Sequence, residues 1–296
     1  MTRAGFVVLA GRPNVGKSTL VNAVVGEKIA IVSEKPQTTR RAIRGVHHRR
    51  LDGVDYELVL VDLPGVQRPR DALTERMARR VTEELEGSDA ALLMVSAEQG
   101  VGPGDRFIAR TLADARLPVA VAVNKSDRAR GGALAPVLSE AAELVADAEV
   151  FPISARTGAG LAELLAHLGS LMPEGPFSYP DGEPSDQPLP VLLGELVREA
   201  VIRRTFQEVP HAVEVVIEEV ERPREDLARV RALVWVESES QKGILVGAHG
   251  RMVKAIGTAA RPELERVLGS RVHLDLSVRV RRDWRTDDGL LDRLGM

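Results

Sequence analysis

Short apolar runs alternate with helical patterns along the first part of this chain. Phe6–Ala10, Tyr56–Val61, Ala90–Val95, Val119–Val123 and Val150–Ile153 are apolar stretches bounded by turn residues, which predicts buried strands. Between them, Lys17–Val25, Leu73–Leu85, Asp105–Ala113, Leu134–Ala146 and Leu161–Leu171 carry apolar residues at helical spacing. Strands that alternate with helices imply an α/β domain, with a mostly parallel sheet covered on both faces. Ligands in such folds bind at the C-terminal ends of the strands.

The pattern changes at residues 173–189, where Pro173, Pro176, Pro180, Pro184 and Pro188 forbid a continuous helix or a central strand. This divides the chain into a first domain over 1–172, a Pro-rich linker over 173–189 and a second domain over 190–296. In the second domain Val191–Thr205 reads as a helix and Ala212–Val220 and Arg229–Val236 as an antiparallel hairpin. Two helices, Ser240–Val246 and Val253–Leu268, flank the turn Gly247–Gly250, and Val272–Val280 is a final strand. This α-β-β-α-α-β order predicts a small α+β domain.

Composition narrows the chemistry. The 296 residues fit two domains. Cysteine is absent, which excludes disulfides and thiolate metal sites and fits a reducing cytoplasm. No stretch reaches the roughly 18 apolar residues that cross a bilayer, and the N-terminal run is too short for a secretory signal. The formal net charge of −3 gives no global sign of nucleic acid, so any RNA site must be local.

Gly11-Arg12-Pro13-Asn14-Val15-Gly16-Lys17-Ser18 lies directly between a predicted strand and a predicted helix. That placement suits a phosphate cradle. Gly11 and Gly16 let backbone N–H groups turn toward phosphate oxygens, and the helix N-terminus adds partial positive charge. Asn14, Val15 and Thr19 belong to the same cradle. Lys17 is expected to reach the β- and γ-phosphates, and Ser18 to hold Mg²⁺. Asp62-Leu63-Pro64-Gly65 follows the second strand. Asp62 is the candidate second residue for Mg²⁺, which an aspartate at a strand end usually holds through water, and the Gly65 N–H can face the γ-phosphate. In Ser33-Glu34-Lys35-Pro36-Gln37-Thr38-Thr39-Arg40, Thr39 is the candidate third metal ligand, with Thr38 close behind.

Asn124-Lys125-Ser126-Asp127 follows the strand Val119–Val123. The Asp127 carboxylate matches the two donors on the guanine edge, which adenine lacks. Lys125 can lie along the base, and Asn124 can tie this loop to the phosphate loop. Ser154 and Ala155 follow the last strand, where a backbone N–H can meet the guanine O6. The ordered set therefore reads as a site for GTP and GDP rather than adenine nucleotides. Gly247-Ala248-His249-Gly250, between two helices, reads as a backbone clamp for single-stranded RNA, flanked by Lys242, Arg251 and Lys254. A second basic cluster is Arg279, Arg281, Arg282 and Arg285. Ile244, Val246, Val253 and Ile256 read as an apolar groove edge or as core, core for most of them.

Taken together, GRPNVGKS, PQTTR, DLPG, NKSD and ISA in this order, with QKGILVGAHGRMVKAIG and the closing DDGLLDRLGM, resemble the Era family of bacterial Ras-like GTPases over essentially the whole chain. The resemblance implies an α/β P-loop GTPase domain followed by a type II KH domain. It also implies GTP hydrolysis, a role in small (30S) ribosomal subunit assembly, and binding of the 3′ region of 16S ribosomal RNA through the KH domain. Two departures stand out. Leu63 replaces the family's usual threonine, and His249 takes a place in the GxxG loop where lysine is common. Val66 follows Gly65 where an apolar side chain cannot orient water, so slow intrinsic turnover is expected. The resemblance further implies that Asn14 helps coordinate K⁺, which makes Lys17, Asn14, Thr39 and Gly65 the candidate catalytic set. A cytoplasmic monomer is the expectation, with peripheral contact on the inner face of the cell membrane as an added one. Arg198, Arg203 and Arg204 are the residues that would meet anionic lipid in a membrane-signalling alternative, although a solvated helix face is the favoured reading of them. A tRNA-modifying GTPase, also weighed, lacks support in a chain without cysteine or a further cofactor domain.

Overall fold

The computed structural model describes residues 1–33, 35, 38–51, 53–64, 71–129 and 132–296. They group into two units: residues 1–30, 39–186 and 296 in the first, and residues 31–38 and 187–295 in the second.

The first unit holds a six-stranded sheet made of β1 (Thr2–Gly11), β2 (Ile43–Leu51), β3 (Val54–Asp62), β4 (Ala90–Ser96), β5 (Val119–Asn124) and β6 (Val150–Pro152), in the order β2-β3-β1-β4-β5-β6. All pairs are parallel except β2 with β3. Alternation along the central strands fixes the layers. Val7 and Leu9 of β1 and Leu92 and Met94 of β4 face one core, shared with α1 (Lys17–Val25) and α5 (Leu161–Leu171). Their neighbours Val8, Ala10, Leu93 and Val95 face the other, under α2 (Ala72–Glu86), α3 (Pro103–Asp114) and α4 (Leu134–Ala142). Each fully buried Val or Leu in these layers contributes about 1.5–3 kcal/mol by leaving water. The doubly covered sheet sends its strand ends, and the loops that follow them, to one edge.

Strand β2 was not expected. Its sequence, IRGVHHRRL, places polar residues over most of its length, as suits an edge strand held on one side only by β3. Helix α4 ends at Ala142, four residues before the expected end. The Pro-rich segment is divided between the units. Residues 173–186 strap onto the first sheet: the Ala4 N–H donates to the Pro173 carbonyl (3.2 Å) and the Val46 N–H to the Pro184 carbonyl (2.9 Å). The buried Glu57 carboxylate accepts the N–H groups of Ser178 (2.7 Å) and Tyr179 (2.9 Å).

The second unit holds α6 (Leu189–Arg204), α7 (Val209–Ala212), β7 (Glu214–Arg224), β8 (Leu227–Val236), α8 (Glu239–Val246), α9 (Arg251–Leu268), β9 (Arg271–Val280) and α10 (Asp288–Arg293). The sheet order is β7-β8-β9, with β7 antiparallel and β9 parallel to β8. Leu193, Leu196, Val197 and Val201 of α6 meet Ile256, Ala260 and Leu264 of α9 and the sheet residues Val230, Ala232 and Val234 in one core. Helices α7 and α10 add to the expected order. The indole of Trp284 between β9 and α10 is fully buried and donates to the Ala212 carbonyl (3.0 Å), which ties the C-terminal segment to α7. Arg198 corrects both the solvated-face and the lipid-contact readings: it is fully buried, its guanidinium on the Glu195 carboxylate and the Thr38 carbonyl. A buried charge persists only when paired in this way.

Candidate functional site

The phosphate loop joins β1 to α1. Gly11 has φ +155°, and a Cβ there would stand 2.6 Å from the Met94 carbonyl oxygen, so glycine is required by contact as well as conformation. Gly16 caps α1 in the left-handed region (φ 106°), with no side chain on the first-turn N–H groups. Those donors and the helix dipole remain for an anion. The Val15 side chain is fully buried in the core, which anchors the loop and leaves its backbone for the ligand. Lys17 is largely buried, and its ammonium donates to the Gly11 carbonyl (3.2 Å). Burial pushes its pKa below the ordinary value, partly opposed by Asp62.

Ser18, Thr39 and Asp62 converge. The Ser18 hydroxyl donates to Asp62 Oδ2 (2.5 Å) and lies 3.3 Å from Thr39 Oγ1, which itself donates to the same carboxylate oxygen (3.4 Å). Asp62 is fully buried, its Oδ1 is without a hydrogen-bond partner, and burial raises its pKa against the pull of Lys17. One carboxylate and two hydroxyls are hard oxygen donors, the set suited to an ion that keeps waters and phosphate oxygens for its other positions. An orphaned buried oxygen in that set fits Mg²⁺. Among the described residues no cluster of three or more His, Cys, Asp or Glu side chains offers an alternative metal site. Gly65 lies outside the described residues, as do Val66 and Gln67.

The base-reading loop is tied to the phosphate loop through one side chain. Asn124, 2% exposed, donates from Nδ2 to the Val15 carbonyl (2.8 Å) and accepts the Ala155 N–H at Oδ1 (2.9 Å). A Cβ on Gly16 would stand 2.3 Å from that same Nδ2, so the glycine makes room for the bond. Asn124, Val15, Gly16 and Ala155 are thereby brought together. Asp127 accepts the Ser154 hydroxyl (2.7 Å) and an Arg156 N–H (2.7 Å), which hold its carboxyl below the ordinary value. Arg156, absent from the sequence reading, thus occupies hydrogen-bonding capacity that a guanine edge would use. Lys125 sits in the left-handed region (φ 64°) with its ammonium 3.5 Å from Glu98. The side chain of Thr19 follows Ser18 in the first turn of α1.

In the second unit the turn between α8 and α9 is built on positive φ values: Gly247 at 69°, His249 at 53° and Gly250 at 74°. A Cβ on Gly247 would stand 2.8 Å from Met252 Cβ and 3.0 Å from its backbone nitrogen. Gly250 starts α9 without a side-chain cap, which leaves N–H donors for a phosphate. Ala248, His249, Arg251 and Lys254 are exposed around it, and Lys242 is part-exposed on α8. Of this apolar set only Ile256 is core; Val246 and Val253 are half-buried and Ile244 is 48% exposed beside the loop, which corrects the expectation that most of them are core. The Arg279–Arg285 cluster is partly engaged: Arg281 lies over the Trp235 ring and near Asp287, and Arg285 reaches the His211 carbonyl.

Residues 6–125 match the family model for a 50S ribosome-binding GTPase, and residues 208–285 match that for a KH domain. The chain is 45% identical to GTPase Era of Mycolicibacterium paratuberculosis over 299 aligned positions, covering 99% of this chain and 98% of that protein. It is 42% identical to GTPase Era of Carboxydothermus hydrogenoformans, covering 99% and 97%. The Aquifex aeolicus Era structure bound to GDP and tetrafluoroaluminate superposes with a TM-score of 0.92 at 34% identity, covering 99% of both chains. An Era complex with MgGDPNP and nucleotides 1506–1542 of 16S ribosomal RNA gives a TM-score of 0.92 at 34% identity, covering 100% of this chain and 99% of that one.

Proposed function

Because this chain belongs to the Era family of GTPases, we propose that it is a GTP-switched RNA-binding protein that grips the 3′ region of 16S ribosomal RNA through its KH loop and serves assembly of the small ribosomal subunit. The observation that carries this reading is the pairing of two built loops on one chain: a phosphate loop tied through Asn124 to Ala155, beside the loop that carries Asp127, and a GxxG turn opening an uncapped helix.

In this reading Gly11, Asn14, Val15, Gly16, Lys17, Ser18 and Thr19 wrap the phosphates. Ser18, Asp62 and, with GTP bound, Thr39 hold Mg²⁺. The metal supplies positive charge between the β- and γ-phosphates as the γ-phosphoryl leaves. Lys17 neutralises the same oxygens, and Gly65, which lies outside the described residues, is assigned to the γ-phosphate from the sequence alone. Asp127 reads the guanine N1–H and amine, Lys125 covers the base, and Ser154 and Ala155 close its edge. Asn14 would hold K⁺, which would supply the positive charge that an arginine finger brings in other GTPases. Equal hydrolysis rates in K⁺ and Na⁺ would remove that assignment. Lys242, Gly247, Ala248, His249, Gly250, Arg251 and Lys254 form the RNA contact. The protein acts as a cytoplasmic monomer. Among the described residues no helix is long and apolar enough to cross a membrane. Peripheral contact with the inner face of the membrane is an added expectation, and its basic face is reduced by the burial of Arg198 and the pairing of Arg203 with Glu199 (2.7 Å).

The test is fluorescence anisotropy with a labelled RNA of the 16S 3′ terminus, titrated with the full chain holding a non-hydrolysable GTP analogue or GDP. The reading expects tight binding in the first state and weaker binding in the second. Indifference to nucleotide, or binding to liposomes in place of RNA, would contradict it.

A further inference from the structure

The phosphate loop is held from two directions. Asn124 grips the Val15–Gly16 arm, as described. From the other arm the Arg12 side chain reaches the start of α3. Its Nε lies 2.8 Å from Asp105 Oδ2, and its Nη2 donates to the Gly100 carbonyl at 2.8 Å. Asp105 is fully buried, and the same Oδ2 accepts the Gly102 N–H (2.8 Å) at the N-terminus of α3. The arginine stem runs through a slot that exists because two side chains are missing. A Cβ on Gly104 would stand 2.9 Å from Arg12 Cδ, and one on Gly102 3.4 Å from Nη1. None of Gly100, Gly102, Gly104 and Asp105 belongs to the nucleotide motifs.

This anchor has little slack toward the nucleotide. Pro13 follows with a ring-fixed φ, and Asn14 comes next in the left-handed region (φ 65°). Fixing Arg12 therefore fixes where Asn14 stands. The contribution is geometric rather than electrostatic, because the buried Asp105 carboxylate already balances the guanidinium charge. We propose that Arg12 is a positioning residue for GTP hydrolysis: through Asp105 and the Gly100 carbonyl it sets the Arg12–Asn14 arm on the γ-phosphate side, while nucleotide affinity rests on Val15–Ser18 and Asn124. It acts through the loop, so the rate suffers from its loss and binding does not.

The experiment compares single-turnover hydrolysis with equilibrium affinity for fluorescent GTP and GDP in the full chain. The variants are Arg12→Gln, Asp105→Asn, the double variant and Arg12→Lys, each with a thermal melt. Hydrolysis is expected to fall about 10–100-fold in each of the first two, the scale of an ångström-size misplacement. The double variant should be no slower than the worse single one, because both remove the same anchor. Both nucleotide affinities should stay within about threefold of the parent. Arg12→Lys should recover part of the rate, since lysine can pair with Asp105 but cannot also reach Gly100 as a fork. An unchanged rate would overturn the proposal. So would rate and affinity falling together, multiplying losses in the double variant, or loss of cooperative melting in Arg12→Gln, each of which marks a structural role.

Discussion

Asn124→Ala is the sharpest perturbation of the nucleotide site. The side chain is 2% exposed and makes two bonds, to the Val15 carbonyl at 2.8 Å and from the Ala155 N–H at 2.9 Å. Alanine leaves a buried acceptor and a buried donor without partners, at about 1–3 kcal/mol each. Water entering the space vacated beside Gly16 would relieve part of this, so a net cost of about 2–4 kcal/mol is expected. Part of it falls on folding and part on the bound state, because the bonds hold the base-reading and phosphate loops in register. A cost of that size carried wholly by binding weakens GTP by about 30–1,000-fold. The assay is a pair of measurements on one preparation: chemical denaturation without nucleotide, and calorimetric affinity for GTP with Mg²⁺. The summed losses should reach the stated range. A variant with parental denaturation midpoint and parental affinity would refute the claim that Asn124 couples the loops.

Asp127→Asn exchanges an acceptor for an amide that presents a donor to the guanine edge, so GTP affinity should fall by at least about tenfold while a xanthine nucleotide, which offers a carbonyl there, should gain; competition binding reads both. The raised pKa of Asp62 predicts that protons compete with Mg²⁺ at higher pH than at an ordinary aspartate near 3.9. Mg²⁺ affinity of the nucleotide complex should therefore fall with decreasing pH more steeply in the parent than in Asp62→Asn, which should bind Mg²⁺ weakly and keep only the pH dependence of the nucleotide phosphates. Replacing Ala248 and His249 together by aspartate places two negative charges where phosphate is expected; RNA affinity should drop at least about tenfold, with GTP affinity unchanged in the same protein. Loss of both would show that the two sites are not separate.

Much of the site could be read from the chain because each motif follows an apolar run. Phe6–Ala10, Tyr56–Val61 and Val119–Val123 mark buried strands, and GRPNVGKS, DLPG and NKSD follow at the strand ends, where ligands bind. The features that escaped are those with no local signal. Strand β2 is an edge strand whose polar residues hide the alternation. The strap 173–186 has proline spacing that argues for a free linker, yet its carbonyl and N–H groups find partners on Thr2, Ala4, Val46 and Glu57, residues far away in sequence. Arg198 reads as one more basic residue on an amphipathic helix until Glu195, one turn earlier, is seen to share its burial. Arg156 and the Arg12–Asp105 pair are likewise contacts between distant positions, and neither spacing nor residue type announces them. Ile244 looks like core by composition, and only the register of α8 turns it outward.

The most direct measurement is a calorimetric titration of the nucleotide-free chain with GTP, GDP and ATP in the presence of Mg²⁺. The account predicts saturable one-to-one binding of both guanine nucleotides and no measurable heat with ATP. Comparable binding of ATP, or silence with GTP, would contradict it.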